Sequence, residues 1–565
     1  MPKREWLLLL TASLLLPIHG VKQSSAVPVP PTIKQSPWPM FGGAPARNMV
    51  NLTDQNIPSK WSVAEGKHEN ILWMAQLGSR SYPQPVVAEG RVLMGANNEN
   101  PRNPRDRGKP NDDDPKGPPL DKGVLMCFDV KTGDFHWQYI SDKLPSGQVS
   151  DWPQEGLTST AAVEKGRVYF VTNRCEVICA DINGFLDGKN DGVKDEKYQD
   201  KTDADIIWRH NMLLELKVFP HNMSHCSPLL VGDRIFVCTS NGVDESHINI
   251  PAPDAPSFIA LDKHTGKLLW QSNLPGRNIM HGQWASPAFA EIKGVPQVIF
   301  PGGDGWLYAF NPENGKLIWK FDANPKDATY ELGGKGTKSD FINAPVVYKN
   351  RIYIGTGQDP EHFEGVGHFW CIDPAGKTGD ISPELVTDAS VAPPKTKPNP
   401  NSGVVWHYGG EEKRKFAPRD NVFGRTLSTA CIVDDVMYIP EIAGYVHCLD
   451  ALTGKTYWMF DTRAAIWGSA MFADGKVFVG NDDGDVFVFR HDPKPDTIDP
   501  VGAAAVMNNE KAAKLVYRGT MKLVAEKFLL NKIEMDEPIR SAPTVAGGVV
   551  YIGTERTLYA IAARK

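Results

Sequence analysis

At 565 residues the chain has the length of three or four domains, yet glycine (51) and proline (45) are plentiful, as where many short strands meet at many turns. The net charge is only −6 and no Lys/Arg-rich run occurs, so nothing marks a nucleic-acid or anionic-membrane partner. The first residues read as a secretion signal over 1–26. Lys3 and Arg4 precede an apolar run from Trp6 to Leu16, and Ser24-Ser25-Ala26 offers small residues for cleavage. That run, of about eleven residues, is too short to span a bilayer. No cysteine precedes Cys127 to carry a lipid, and no later stretch reads as a transmembrane anchor. The expectation is a monomeric protein exported to the periplasm or the medium and not lipidated. A Pro-rich lead-in (27–69) follows, containing Trp38-Pro39-Met40-Phe41-Gly42-Gly43.

Next comes Asn70-Ile71-Leu72-Trp73-Met74-Ala75, a strand-like stretch with no partner nearby in sequence. A repeat then begins. Gln84-Pro85-Val86-Val87 leads to Arg91-Val92-Leu93-Met94-Gly95; Ser227-Pro228-Leu229-Leu230 to Arg234-Ile235-Phe236-Val237; Ala344-Pro345-Val346-Val347 to Arg351-Ile352-Tyr353-Ile354-Gly355. Ala542-Pro543-Thr544-Val545 leads likewise to Val549-Val550-Tyr551-Ile552-Gly553, and weaker copies start near Ala161, Pro287, Ala430 and Ala470, making eight. Each copy continues into a third strand. Four end in a turn and a tryptophan: Thr132-Gly133 to Trp137, Thr265-Gly266 to Trp270, Asn314-Gly315 to Trp319, and Thr453-Gly454 to Trp458. The last copy stops after three strands. The orphan strand at 70–75 supplies the fourth and would close a ring, covering the exposed sheet edges. The predicted fold is all-β: an eight-bladed β-propeller of four-stranded antiparallel blades over 70–563.

The ending Asp-x-x-Thr-Gly-Lys-x-x-Trp resembles the tryptophan-docking repeat of the PQQ (pyrroloquinoline quinone)-dependent alcohol dehydrogenases and of the BamB outer-membrane assembly factor. The lead-in at Trp38–Gly43 resembles that of secreted PQQ-repeat proteins of unassigned activity. The resemblance implies the fold, which is shared by proteins of different function. Loop insertions fall near 97–122, 184–204, 377–403 and 491–526, and the last is rich enough in Ala, Glu and Lys to form a short helix outside blade seven.

Of fifteen tryptophans, Trp73, Trp137, Trp208, Trp270, Trp319, Trp406 and Trp458 occupy the docking position. Trp152, Trp284 and Trp467 each precede a first strand, and the resemblance places that segment on the cofactor face. Rim packing is their plain reading; stacking on a planar ligand is the functional one for Trp284 and Trp467. Cys127, Cys179, Cys371 and Cys448 share a repeat position with Ala260, Ala309 and Ala560 and read as small core residues; Cys175, Cys226, Cys238 and Cys431 could pair in an oxidising compartment. His221-Asn222-Met223-Ser224-His225-Cys226 has the composition of a metal cluster but sits between Pro220 and Pro228, so it reads as a loop. Asp181, Asn183, Asp187 and Asp191 are weak calcium candidates, since Lys189 and Tyr198 spoil an EF-hand pattern.

Arg425, Arg463, Arg540, Asp340, Asn343 and His281 (with Gln283) also precede first strands and would ring the funnel mouth. The ring reads first as a hydrated, ion-paired channel. It reads second as a site for an anionic ligand such as the tricarboxylate PQQ. Methanol-dehydrogenase-like quinoproteins carry adjacent cysteines and many carry a haem site; this sequence has neither a Cys-Cys pair nor Cys-x-x-Cys-His. The expected function is therefore a binding or scaffold propeller of the cell envelope, holding a protein or polymer ligand on its face or rim. A PQQ- and calcium-dependent alcohol or sugar dehydrogenase is the alternative.

Overall fold

The structure, a computed structural model, describes residues 36–563. The expected signal peptide lies outside them. In seven of the eight repeats the first two strands meet at a two-residue turn with left-handed backbone at both positions, such as Glu89-Gly90 (φ 50° and 77°) or Lys349-Asn350 (φ 47° and 61°). Such turns match the right-handed twist of the strands they join.

Eight antiparallel sheets result, and the first strands of neighbouring sheets touch, so they line the propeller axis. Blade 1 is Val86–Ala88, Arg91–Asn97, Lys122–Asp129 and Phe135–Asp142; blade 2 is Ala162–Glu164, Arg167–Val171, Glu176–Asp181 and Ile206–Asn211. Blade 3 is Leu229–Val231, Arg234–Cys238, Phe258–Asp262 and Leu268–Ser272; blade 4 is Ala288–Ile292, Val295–Pro301, Trp306–Phe310 and Leu317–Asp322. Blade 5 is Val346–Tyr348, Arg351–Gly355, His368–Ile372 and Val404–Glu411; blade 6 is Cys431–Val433, Val436–Pro440, Tyr445–Asp450 and Thr456–Asp461. Blade 7 is Met471–Ala473, Lys476–Gly480, Asp485–Arg490 and Leu529–Glu534. Blade 8 joins Thr544–Ala546, Val549–Gly553 and Thr557–Ile561 to Ile71–Gln76, with Trp73 opposite Ala560. The eight-bladed ring and its strand exchange are as the repeat predicted.

The register explains the cysteines and tryptophans together. Each docking tryptophan faces a small residue on the third strand: Trp137 faces Cys127, Trp208 faces Cys179, Trp406 faces Cys371, Trp458 faces Cys448, and Trp270 faces Ala260. The indole then lies on the turn of the following blade. Trp73, Trp208, Trp270 and Trp406 donate to the carbonyls of Val130, Lys263, Pro312 and Ala451 at 2.9–3.1 Å. Each covers a turn glycine, and a Cβ on Gly266 would stand 2.4 Å from the Trp208 ring. An indole so buried removes roughly 200 Å² from water, about 5 kcal/mol of transfer free energy before entropic cost.

Trp319 and Trp458 meet no such turn on the following blade and are held otherwise. Trp319 donates to the Gln297 side chain at 2.7 Å instead of to blade 5. Trp458 stacks on Phe528, with ring centroids 5.3 Å apart. Phe528 ends a helix, Glu510–Phe528, whose N-cap Asn509 accepts from the Ala512 N–H at 2.9 Å. The expected short helix on blade 7 is thus 19 residues long and also lies against the outer strand of blade 6. The 377–403 insertion forms a hairpin, Glu384–Asp388 with Lys395–Pro398. All eight cysteines lie among the described residues; all are buried and unpaired, so none of the disulfides left open for Cys175, Cys226, Cys238 and Cys431 is formed.

The lead-in is structured. It runs past the axial strands in turn: Trp38 bridges Val87 of blade 1, Pro39 accepts from Val163 of blade 2, and Pro45 and Ala46 accept from Phe289 and Val347 of blades 4 and 5. Asn48 pairs with Ile432 of blade 6, Met49 accepts from Phe472 of blade 7, and Asn51 donates to Val545 of blade 8. Blade 3 is reached by Arg47, whose fully buried guanidinium donates to the carbonyls of Ser227, Pro228, Pro287 and Phe41. Segment 38–51 thus lies across the axial strands of all eight blades and closes one end of the channel.

Candidate functional site

With one end closed, the channel is a blind funnel. A cavity of about 220 Å³ sits in it, with Phe41 of the lead-in among its lining residues. Around the axis a belt of hydroxyls fastens blade to blade. The Gln84 N–H donates to Thr160 Oγ1 at 2.9 Å, Thr160 N–H to Ser227 Oγ at 3.1 Å, and Ser227 N–H to Ser286 Oγ at 2.9 Å. Ala344 N–H donates to Thr429 Oγ1 at 3.1 Å and Thr429 N–H to Ser469 Oγ at 2.8 Å. These positions immediately precede the inner strands, often before a proline. Sequence comparison among the copies displays them, but gives no sign of their bonding.

The cavity walls are largely apolar and aromatic. Trp152, Trp284, Trp467 and Tyr82 line them, with Glu155, Asp359, Glu361, Asn343, His225 and Arg540 among the polar groups. Trp284 is pinned by its indole N–H, which donates to the His221 carbonyl at 3.0 Å. The Arg540 guanidinium lies 5.0 Å from the Trp467 ring centroid, between pairing partners Asp482 (2.7 Å) and Glu555 (2.8 Å). Two of the lining side chains keep a buried polar atom without a partner in the protein, Trp467 Nε1 and Asn343 Oδ1, while the Glu155 carboxylate is paired with Arg80.

The other ring candidates are placed differently. Arg425 is buried and donates to the carbonyls of Gly334 (2.8 Å) and Gly336 (2.9 Å) and, more weakly, to those of His362 and Glu364. It ties two loops together behind the wall. Asp340 is buried beside it; burial and the nearby Asp359 charge push its carboxyl well above the usual range, against the pull of Arg425. Arg463 lies away from the funnel, in a depression between blade 6 and the 510–528 helix. Trp284, Trp467, Arg540 and Asn343 therefore share the cavity, while Arg425, Asp340 and His281 stand behind it and Arg463 outside.

The calcium candidates serve local turns. Asp181 pairs with Arg167, and Asn183 accepts from Arg91 at 3.2 Å. Asp181-Ile182-Asn183-Gly184 is the docking turn of blade 2, since Trp137 donates to the Ile182 carbonyl at 2.9 Å and covers Gly184. Asp187 pairs with Lys189, and the Asp191 N–H donates to Asp205.

Sequence reasoning did not find a histidine cluster beside the wall. His221 and His281 bring their Nε2 atoms to 2.9 Å, and His247 packs on both, with ring centroids at 4.9 and 4.7 Å. The three come from separate connecting segments, so no local motif announces them.

A family model described as outer membrane protein assembly factor BamB matches residues 198–378 and 399–492. Over those two stretches, just under half of its length, the chain is similar to that family. A polyvinylalcohol dehydrogenase of Sphingopyxis sp. is 30% identical over 131 residues, 22% of this chain and 19% of that protein. The dehydrogenase subunit of a quinone alcohol dehydrogenase from Gluconacetobacter polyoxogenes is 31% identical over 148 residues, 26% of this chain and 19% of that one. The matches thus span about a fifth of either relative's length. The quinohemoprotein alcohol dehydrogenase of Pseudomonas putida HK5 superposes with a TM-score of 0.52 at 13% identity, covering 94% of this chain and 80% of that one, a likeness of fold. Among the described residues no helix is long and apolar enough to cross a membrane.

Proposed function

We propose that this PQQ-repeat propeller is an exported binding protein whose blind funnel holds a neutral, hydroxyl-bearing small molecule or polymer end. The reading rests on an aromatic wall set with polar side chains, two of which keep an unpartnered atom: Trp467 Nε1 offers a donor and Asn343 Oδ1 an acceptor. Buried polar atoms are normally satisfied, and a hydroxyl both donates and accepts, so hydroxyl groups suit this mixed set. The faces of Trp152, Trp284 and Trp467 suit the C–H faces of such a ligand. The alcohol and polyvinyl alcohol named for two relatives are of the same chemical class.

A PQQ–calcium dehydrogenase is the second reading, favoured by those same relatives. The wall residues do not fit that cofactor. A tricarboxylate would meet Asp359, Glu361 and a Glu155 already paired with Arg80, and the one cation on the wall, Arg540, is itself paired twice. Calorimetric titration of the intact protein with neutral oligosaccharides and polyvinyl alcohol oligomers tests the proposal. Saturable binding is expected, weakened about tenfold by Trp467→Ala, the equivalent of about 1.4 kcal/mol of stacking. No binding across the panel, or dye reduction with an alcohol after loading with PQQ and calcium, would sink it.

A further inference from the structure

We propose that His221, His247 and His281 form a binding site for one divalent transition-metal ion of the zinc and copper class. One nitrogen of each ring lies within 4.8 Å of the other two. Around a tetrahedral ion with bonds of 2.0–2.1 Å, ligand nitrogens stand roughly 3.3 Å apart. The 2.9 Å between the Nε2 atoms of His221 and His281 opens by a few tenths of an ångström, and His247 moves inward by rotating its side chain. Three neutral imidazoles suit these ions, and the fourth position stays open to water or another oxygen ligand.

The surroundings fix which nitrogens face the ion. His221 Nδ1 lies 2.7 Å from the Val243 carbonyl, so it carries the proton and Nε2 presents a lone pair. Without an ion, His281 Nε2 must donate that shared contact. With an ion bound, the His281 proton moves to Nδ1, which faces Asp359 Oδ2 at 4.0 Å. Asp359 is itself held by the Asn222 amide at 3.1 Å. A carbonyl behind one ligand and a carboxylate behind another are the supports that metal-binding histidines use. His247 is presented by a tight loop: the Asp244 N–H donates to the Asn249 carbonyl at 2.8 Å and the His247 N–H to the Asp244 carbonyl at 3.0 Å.

The inference does not depend on what the funnel binds. Its test uses untagged full-length protein, stripped with a chelator and titrated with Co²⁺ and Zn²⁺. One Co²⁺ per chain is expected, with the visible spectrum of a four-coordinate, nitrogen-rich site, and Zn²⁺ should displace it and raise the melting temperature. His247 is partly exposed, so His247→Ala should fold normally and weaken uptake at least tenfold. Asp359→Asn should weaken it about 10–100-fold, and His136→Ala, outside the cluster, should leave it unchanged. Absence of saturable uptake at micromolar Co²⁺, or uptake unaffected by His247→Ala, overturns the proposal.

Discussion

A docking tryptophan stabilises a blade junction only where the next blade leaves room for it. At Gly266 the backbone is left-handed (φ 70°) and the Trp208 ring occupies the space of a Cβ, whereas Gly376 is equally left-handed (φ 73°) with nothing within 4 Å. Gly266→Ala should therefore cost about 2–5 kcal/mol, from backbone strain plus overpacking, and Gly376→Ala only about 1. Urea melts of the two variants check the difference. Glu441 makes a second case. It is fully buried, which alone would raise its pKa, yet Arg419 and His447 bring it to about 2. Its folded value lies below the ordinary 4.5, so its contribution, about 3 kcal/mol, is present above that pH and lost as pH falls from 4.5 toward 2. Arg419→Met should lower stability at neutral pH and flatten that acid limb of the urea midpoint against pH. The tryptophans were legible because their spacing from a turn recurs in several copies. The histidines were not, being separated by 26 and 34 residues at positions that recur in no other copy of the repeat. The sequence grouped His221 with His225 and Cys226; in the fold, His225 lines the cavity and Cys226 is a buried thiol.

The orphan strand and the lead-in are neighbours in sequence but differ in how far sequence reveals them. Ile71–Gln76 was legible as the fourth strand of blade 8 because its apolar run and tryptophan fit a vacancy at the far end of the chain. Segment 38–51 has no such periodicity. Its backbone and side-chain bonds reach partners up to 494 residues away, so pattern reading had nothing to measure. Arg47 holds the segment down. Arg47→Met removes the donor to four carbonyls and should cost about 3–5 kcal/mol, since each unsatisfied buried group costs about 1–3. A lowered urea midpoint with the native far-UV spectrum is the expected result; an unchanged midpoint would show the arginine to be dispensable. The 491–526 insertion was legible as helix from composition, but that Phe528 takes the place of a missing turn over Trp458 was not.

At the scale of the whole molecule, eight copies of one pattern make the ring, and its irregularities make the site. The hydroxyl belt and docking turns are repeated architecture. The cavity is made of what differs between copies: Trp152, Trp284 and Trp467 occur in three of the inter-blade segments, and Asp359 and Glu361 in a loop of blade 5. Repetition made the fold readable from one chain. The site had to be assembled from single residues on several blades, which only the closed ring brings together.

The lead-in has a consequence in time. Because residues 38–51 rest on the axial strands of every blade, their full set of bonds cannot exist until blade 8 has closed against Ile71–Gln76. A segment made among the first is seated last. Until then Trp38 and Met49, both buried at the end, wait without cover, and the growing ring stays open along its axis.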